Sequence, residues 1–423
     1  MTPGEISEKF DRLRAAGAKL RRRPARDTLA ILGHIIDTWR DPNSPWRRAL
    51  VSALPEATGF STPVVAEGAN RGFQTWSRAA MDGLLARDLG HPTVLDSTSH
   101  LMVSGFETHA VVLAGQVPMP TVLAMIAPLM LRSPVLAKPS SRDPVTPQLV
   151  LRSVSETDAE LGQCLDLASF PGSDGPCSRA LAEADCVVAT GSDAAIAAIG
   201  ALVRPRCRLV SYGHRVSVAA LGPAASDGGA LACAAEGLAL DVALWDQLGC
   251  LSPIAVYVIG PGFEAADRVA EALAGALGRL GSQLPRGRVE SAAAAQISHE
   301  RAEAEMRLAS GRPITLHSGD GWTVVRESDA AVRPSPLHRF VRIHPVPDEA
   351  SLLDALGPLG PHLAAVALAG FGEQERLLAR SLADLGASRL CRPGVMQSPP
   401  FDWHHDGASL LTPIARFTDL EPQ

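Results

Sequence analysis

The residue with the clearest potential for chemistry is Cys250, which lies in the stretch 246–253 between an alanine-rich helical pattern and the β-rich run 254–259. These flanks predict a tight turn from which the thiol projects. Gly249, directly before it, leaves room for a substrate carbon to approach the sulfur. A thiolate in that position is a candidate nucleophile for acyl transfer. The alternative is that Cys250, one of seven cysteines, only fills the core, as cysteine commonly does.

Composition restricts the class of protein. The chain has 423 residues, of which 46% are apolar and 20% charged, a balance typical of a globular protein with two substantial cores. A net charge of −6 gives no reason to expect nucleic acid as a partner. No uninterrupted apolar run reaches the roughly 18 residues of a membrane span. The amino terminus lacks an apolar signal segment, so we expect a cytoplasmic location.

Metal and disulfide chemistry are not indicated by the sequence. The seven cysteines are odd in number and form no CxxC pair, which argues against a disulfide framework and a structural zinc site. His404 and His405 are adjacent in a proline-rich tail, but no third ligand stands at helical spacing from them. We therefore expect no metal.

The order of predicted elements indicates the fold class. Residues 5–89 follow a helical pattern, after which short apolar runs alternate with helices. This alternation predicts a parallel, doubly wound α/β sheet, which binds ligands beyond the carboxyl ends of its strands. The second half repeats the pattern around its own core, with a long helix at 228–247, another at 263–281, and an irregular segment at 282–313 that is helical only around 302–308.

No GxGxxG or GxxxxGK[ST] motif occurs, so a dinucleotide would need another anchor. Ser192 is predicted to cap the N-terminus of an alanine-rich helix, whose free N–H groups suit a diphosphate. The alternative is that residues 190–192 form an ordinary turn from strand to helix.

Five short motifs occur in order along the chain. They are Gly115-Gln116-Val117-Pro118, Lys138-Pro139-Ser140-Ser141, Thr190-Gly191-Ser192, Tyr212-Gly213-His214-Arg215 and Gln247-Leu248-Gly249-Cys250. Together they resemble the aldehyde dehydrogenase superfamily, most closely its thioester-reducing branch, the acyl-CoA reductases of the bioluminescence fatty-acid reductase (LuxC) type.

The resemblance implies an α/β, aldehyde-dehydrogenase-like fold of two doubly wound parallel-sheet domains, with a helical N-terminal cap and a small oligomerisation arm. The implied ranges are a helical region 1–90, an NADP(H)-binding Rossmann-like domain 91–215, a catalytic domain 216–390 that carries the cysteine, and a tail or arm 391–423. At least a dimer is expected, because family members associate through a β-rich arm.

The resemblance also implies a cofactor site. Lys138 stands where the family binds the adenine ribose, and Ser141 replaces the glutamate that accepts from both ribose hydroxyls. Loss of that carboxylate beside a lysine favours NADPH over NADH. Gly191 and Ser192 correspond to the diphosphate contacts. The cofactor-binding residues implied are Lys138, Ser140, Ser141, Gly172, Thr190, Gly191, Ser192, Tyr212 and Gly213.

Three catalytic residues follow from the same resemblance. Cys250 is the nucleophile, Gln116 replaces the asparagine whose amide stabilises the oxyanion, and His214 is a candidate for deprotonating the thiol. The alternative for His214 is that it only bonds backbone. Ser211 lies near the place of the glutamate that activates water in hydrolytic aldehyde dehydrogenases, so deacylation by water should be slow.

The expected function is therefore NADPH-dependent reduction of an acyl thioester, fatty acyl-CoA or acyl-carrier protein, to the aldehyde. Two alternatives stay open. One is an NAD(P)-dependent aldehyde dehydrogenase, and the other is an acyl-transfer subunit that takes its acyl group from an acyl-protein synthetase and performs no reduction.

Overall fold

The computed structural model describes residues 1–421, which form two compact units. The first unit comprises Met1–Thr58, Gly72–His214 and the chain from Pro400 onward, and the second comprises Gly59–Arg71 and Arg215–Pro399. The division after His214 coincides with the predicted boundary at 215. Most of the predicted N-terminal helical region and the tail from Pro400 are in the first unit, and residues 59–71 and 391–399 are in the second.

Five helices open the chain: α1 Pro3–Leu20, α2 Ala25–Arg40, α3 Pro45–Thr58, α4 Thr62–Phe73 and α5 Arg78–Leu89. The start of α1 is fixed by a capping box, in which Thr2 and Glu5 each accept the other's backbone N–H. The predicted apolar stripe of α2 is buried, with Leu32 and Trp39 inaccessible to solvent. The helical pattern read from the sequence therefore corresponds to five separate amphipathic helices.

The first unit is built on a five-stranded sheet. Its elements are β1 Leu101–Gly105, β2 His109–Val112, α6 Pro118–Met130, β3 Val135–Lys138, α7 Val145–Thr157, α8 Ala159–Gly162, β4 Leu165–Leu167, α9 Gly175–Leu181, β5 Cys186–Thr190, α10 Asp193–Gly200 and β6 Arg208–Tyr212. The strand order is β4-β3-β2-β5-β6, and every pairing is parallel. The doubly wound sheet predicted from the alternating pattern is confirmed.

The second unit is built on a seven-stranded sheet. Its elements are β7 Val216–Leu221, α11 Gly228–Ala243, β8 Pro253–Ile259, α12 Glu264–Gly281, α13 Ser291–Ala309, β9 Thr315–Gly319, β10 Trp322–Arg326, β11 Phe340–Val346, α14 Glu349–Leu356, β12 Leu363–Ala369, α15 Glu375–Leu385 and β13 Arg389–Cys391. The order is β13-β12-β7-β8-β11-β10-β9. One edge strand, β9, pairs antiparallel with β10, so this sheet is mixed and not wholly parallel as expected.

Helix α13 lies where the sequence pattern predicted an irregular segment with a short helical centre, so that prediction is wrong. The helix has 19 residues, but only Ile297 and Ala304 are buried. A helix with so narrow a buried face has no apolar periodicity to detect, and its alanine, glutamate and arginine content supplies the helix propensity instead.

The last strand, β14 Ala415–Asp419, pairs antiparallel with β1, from Leu101 opposite Asp419 to Gly105 opposite Ala415. This two-stranded ribbon joins the tail to the first unit. The role in oligomerisation expected for an arm stays a prediction.

One stretch, Gly228–Gln247, is long and apolar enough to cross a membrane, and 56% of it is buried inside the protein. A core helix has the same length and composition. Its burial fits the expectation that the chain has no membrane span.

Candidate active site

The turn that carries Cys250 begins where α11 ends. The long helix predicted to reach residue 247 stops at Ala243, and Trp245, Asp246 and Gln247 then take φ values of +56°, +49° and +65°. Such left-handed conformations are uncommon for residues other than glycine and are each strained by about 1–3 kcal/mol. Three in succession persist only where surrounding contacts hold them. We call residues 245–253 the nucleophile turn.

A buried ion pair holds this turn. The carboxylate Oδ1 of Asp246 accepts from the Arg339 guanidinium, at 2.9 Å from Nε and 2.6 Å from Nη2. Its other oxygen accepts the backbone N–H of Gly287 at 2.9 Å. Burial lowers the pKa of Arg339 and the Asp246 charge opposes that shift. Arg339 itself ends a second left-handed turn, with φ +69°, so one ion pair connects two strained segments.

The amide of Gln247 adds a second connection. Its Oε1 accepts the N–H of Phe340 at 2.9 Å, and its Nε2 donates to the carbonyls of Pro253 and Phe340 at 2.9 and 3.0 Å. The buried Gln247 amide thus bonds backbone N–H and C=O groups in the way that the backbone of a neighbouring strand would. The start of β8 and the start of β11 are thereby held together beside the nucleophile turn.

Cys250 is exposed at the end of this framework. Its carbonyl accepts the Ser217 hydroxyl at 2.7 Å, and the same hydroxyl oxygen accepts the N–H of Ala365 at 3.2 Å. The backbone beside the thiol is therefore bonded to the central strand β7, while Cys250 itself is an exposed residue. This is the projecting geometry that the sequence predicts.

Other thiols differ from Cys250 in burial. None of the seven cysteines, which all lie within residues 1–421, forms a disulfide. Burial raises the pKa of Cys164 to about 12 and that of Cys391 to about 11, so both stay protonated near neutral pH. Only Cys233 and Cys250 are exposed, and Cys233 lies on α11 without a shaped turn around it.

A buried carboxylate network behind the turn was missed from the sequence. Asp241 on α11 accepts the N–H groups of Gly394 at 2.6 Å and Met396 at 2.9 Å. The amide of Gln397 donates to the Ser252 hydroxyl at 2.5 Å. A Cβ on Gly249 would lie 2.8 Å from the Gln397 Oε1, so that side chain packs directly against the residue before Cys250. The missed signal is a carboxylate within the otherwise apolar stripe of α11.

The Asp241 carboxyl gives a pH prediction. Burial raises its pKa from 3.8 to about 7, against the hydrogen bonds that lower it. The folded state thus keeps a proton that the unfolded state releases near pH 4, and stability falls as the pH rises from about 4 to 7. Relative to Asp241→Asn, the wild type should lose free energy of unfolding over this interval and none above it. Urea unfolding of both proteins between pH 4.5 and 8 measures this difference. If the free energy of unfolding changes with pH in the same way in both proteins, Asp241 does not titrate in this interval.

The predicted cofactor residues lie at the carboxyl ends of the strands of the first sheet. Lys138 is the last residue of β3 and is half-buried, which lowers its pKa. Its ammonium lies 5.2 Å from the centre of the Phe170 ring, beyond β4 in the loop that contains Gly172. An aromatic ring and a cation side by side fit a nucleotide with a phosphate group.

The loop after Lys138 is shaped by a carboxylate that no sequence motif indicates. Ser140 Oγ accepts the N–H of Arg142 at 3.1 Å. Asp143 is buried, and one of its oxygens accepts the N–H groups of Val145 and Thr146 at 3.1 and 2.9 Å. Burial raises the pKa of Asp143. Ser141 stays exposed between these anchors, where it is open to a ligand.

The predicted cap of α10 is confirmed, because the Ser192 side chain accepts the N–H of Ala195 at 3.3 Å. Gly191, after Thr190 at the end of β5, donates its N–H to the carbonyl of Tyr212 at 3.1 Å. The fit to a diphosphate is incomplete, since the Asp193 carboxylate stands at the same helix end. That carboxylate accepts the His214 backbone N–H at 2.9 Å, which reduces but does not remove its repulsion of an anion.

The end of β6 contacts the C-terminal segment. The Tyr212 ring stacks on His405, with centroids 4.5 Å apart and planes at 11°. Burial raises the pKa of Tyr212 to about 12, so the phenol is neutral. A Cβ on Gly213 would lie 2.7 Å from the Asp193 Oδ1, so the Asp193 side chain packs closely against this glycine. The contribution of His405 at this edge of the sheet is therefore its stacking on Tyr212.

The remaining two predicted catalytic residues belong to the first unit. Gln116 is half-buried in the turn after β2, next to Gly115 with φ +75°. His214 is exposed just after β6. The described residues place Gln116, His214 and all the predicted cofactor residues in one unit and Cys250 in the other. Within residues 1–421, no group of three or more histidine, cysteine, aspartate or glutamate side chains could hold a metal ion.

Comparison with known proteins gives a consistent result. The model of the family described as acyl-CoA reductase (LuxC) matches residues 20–417. A long-chain acyl-protein thioester reductase of Aliivibrio fischeri is 24% identical over 90% of this chain and 79% of its own length. Another, from Photobacterium leiognathi, is 22% identical over 90% of this chain and 80% of its own.

Solved structures show the same fold. An aldehyde dehydrogenase from Brucella melitensis biovar abortus 2308 matches 99% of this chain and 89% of its own, with a TM-score of 0.74 at 13% identity. An NAD-dependent aldehyde dehydrogenase from Sinorhizobium meliloti matches 99% and 87%, with a TM-score of 0.72 at 13% identity. The aldehyde-dehydrogenase-like α/β fold expected from the motifs is confirmed.

Proposed function

Since the chain belongs to the acyl-CoA reductase (LuxC) family, we propose that it reduces an acyl thioester to the aldehyde through a cysteine-bound acyl-enzyme. The observation that carries this proposal is the exposed Cys250 at the end of a strained turn that buried side chains hold in place. A thiol on a fixed, solvent-facing backbone can meet a substrate carbon without reorganisation of the chain.

The first step is acyl transfer to the protein. The Cys250 thiolate attacks the thioester carbonyl carbon, a new carbon–sulfur bond forms, and the carrier leaves as its thiolate. Attacking and leaving groups are both thiols, so the exchange is nearly balanced in energy and needs no water. We assign the oxyanion contacts to the Cys250 backbone N–H and the Gln116 side-chain amide, and proton removal from the thiol to His214.

Hydride from NADPH is the chemistry that the cofactor supplies when bound. The residues that would hold it are the strand-end set described above, with Lys138 toward the ribose phosphate and Ser192 toward the diphosphate. Cys250 holds the acyl carbon through the reduction and is released as thiolate when the tetrahedral adduct collapses to the aldehyde. Ser211, near the place of a water-activating glutamate, supplies no base for hydrolysis to the acid.

We further propose a long-chain acyl-CoA or acyl-protein as the substrate, because both relatives carry "long-chain acyl-protein thioester reductase" in their names. An acyl-protein synthetase that delivers the acyl group, a homo-oligomer, and a cytoplasmic location complete the proposal. Light scattering of the purified protein tests the oligomer, and a monomeric mass would remove it.

Intact-protein mass spectrometry tests the central proposal. Mixed with a long-chain acyl-CoA, the protein should gain one acyl mass, and it should lose that mass as NADPH is oxidised and aldehyde appears. An adduct that survives NADPH and NADH would instead support the acyl-transfer subunit. Release of free acid, with no aldehyde, would support hydrolysis, and the absence of any adduct would contradict the proposal.

Cofactor choice gives a separate prediction. A glutamate at position 141 places a carboxylate where it would accept from ribose hydroxyls and repel a 2′-phosphate. Ser141→Glu should lower kcat/KM for NADPH by about 10-fold or more and leave that for NADH equal or higher. Steady-state rates with both cofactors measure the ratio. Ser141→Gln, which has the same shape without charge, is the matched control and should change the ratio far less.

A further inference from the structure

A cavity of about 210 Å³ lies in the second unit, away from the nucleophile turn in sequence. Its walls come from three segments: the chain at 286–289, the helix α13, and the tight turn 319–321 between β9 and β10. Val289 and Ile297 supply an apolar part, while Ser298 and two arginines supply the polar part. A cavity of this volume has room for a phosphate and part of the group that carries it.

Arg301 is held in a fixed orientation on the wall of this cavity. Its Nε donates to the Thr323 hydroxyl at 2.7 Å, and its Nη2 donates to the carbonyl of Trp322 at 2.9 Å. Both partners are neutral. Burial lowers the pKa of Arg301 and the like charge of Arg286 lowers it further, while the Glu305 carboxylate opposes the shift. The guanidinium is thus oriented by the protein, while its charge has no direct carboxylate partner among residues 1–421.

Arg286 faces the same cavity. Within the described part of the chain, its guanidinium takes part in no hydrogen bond or ion pair. Asp320 is the acidic residue of the lining, but it is exposed at the turn and makes no ion pair with either arginine in residues 1–421. Neither arginine is ion-paired with a carboxylate in the described chain, so their like charges repel each other, and an anion bound between them relieves that repulsion.

The segment that carries Arg286 is also fixed to the nucleophile turn. Its neighbour Gly287 donates its N–H to the Asp246 carboxylate, and Arg339 bonds both that carboxylate and the Leu284 carbonyl at 2.8 Å. A Cβ on Gly287 would lie 2.2 Å from the carbonyl oxygen of Gly59, so the segment has little freedom to move. The segment that carries Arg286 is therefore held by the same ion pair as the turn that carries Cys250.

We propose that this cavity binds a phosphate monoester dianion between Arg286 and Arg301. The remaining N–H groups of the two guanidiniums can donate to several phosphate oxygens at once. A phosphate monoester therefore fits this pair of arginines better than a single carboxylate would. If the proposed function holds, the thioester carrier is one source of this phosphate, since coenzyme A carries a 3′-phosphate monoester. Free phosphate is the other source, and binding assays distinguish them.

The first experiment measures inorganic phosphate binding by calorimetry, which is independent of turnover. Wild type and Arg312→Gln, an exposed arginine used as control, should bind with equal affinity. Arg286→Gln, which breaks no hydrogen bond or ion pair among residues 1–421, should weaken binding by about 10-fold or more, and Arg301→Gln should do the same. No binding by the wild type would overturn the proposal. Binding lost in Lys138→Gln and kept in Arg286→Gln would overturn it as well, by placing the phosphate at the predicted cofactor site.

The second experiment identifies the source. If the carrier supplies the phosphate, KM for acyl-CoA should be lower than KM for the same acyl-dephospho-CoA in the wild type, and Arg286→Gln should remove that difference. If free phosphate is the ligand, the two KM values agree and phosphate binding still depends on Arg286. Both outcomes retain the phosphate site. A protein that binds phosphate through Arg286 and reduces no thioester would contradict the proposed function alone.

Discussion

Replacing Cys250 by alanine is expected to lower the rate of thioester reduction by about 10³-fold or more, because covalent transfer has no other nucleophile in the proposed mechanism. The acyl-enzyme mass should be absent altogether. Cys250→Ser should also fail, since a hydroxyl is far less ionised than a thiol at neutral pH. Steady-state aldehyde formation and intact mass, measured on the same samples, check both expectations.

The structure supplies a matched control for this variant. Cys233 is the second exposed thiol, and it lies on the surface of α11. Cys233→Ala removes the thiol of another exposed cysteine, so nonspecific acylation should fall while turnover stays within about twofold of the wild type. If instead Cys250→Ala keeps a tenth or more of the activity, the nucleophile lies elsewhere and the assignment is wrong.

Replacing Asp246 by asparagine should destabilise the second unit by about 3–5 kcal/mol, because it leaves the Arg339 guanidinium buried without its counter-charge. The side chains of this pair are only 2% and 4% exposed, so water cannot compensate. The same carboxylate holds the three left-handed residues before Cys250, and we therefore expect acyl-enzyme formation to slow in the folded fraction as well. Urea unfolding, followed by fluorescence, gives the free energy. Trp245 within the turn provides a local signal.

An exposed ion pair in the same unit is the control. Arg380 and Asp384 lie one turn apart on α15, 3.0 Å from each other, with side chains 78% and 60% exposed. Asp384→Asn should cost no more than about 0.5 kcal/mol. A double variant in which both Asp246 and Arg339 become apolar should recover much of the stability but not the activity, because the geometry of the turn is lost even when no charge is buried. Equal effects of Asp246→Asn and Asp384→Asn would show that the buried pair does not support the turn.

Much of this fold was predictable from local pattern. Alternation of short apolar runs with helices specified the parallel sheet of the first unit, since each strand and helix is read from a contiguous window. The cap at Ser192 and the end of β3 at Lys138 were predictable for the same reason. Helix α13 was mispredicted because it has no apolar periodicity, and the end of α11 was mispredicted because the deciding interaction is distant. The helix through 247 ends at 243 because Asp246 bonds Arg339, which stands 93 residues later, and no window of sequence contains both.

The sequence by itself determined the type and order of most elements, the order of the five motifs and the identity of the candidate nucleophile, because these depend on residue type and spacing along the chain. Only the tertiary structure decided how the nucleophile turn is held, which thiols are exposed, and where charges lie without partners. Asp241 with Gly394, Gln247 with Phe340, and Arg286 with Arg301 are pairs formed by packing. The distances within these pairs depend on how the sheet and helices pack. The free energy of that packing comes from contacts throughout the unit.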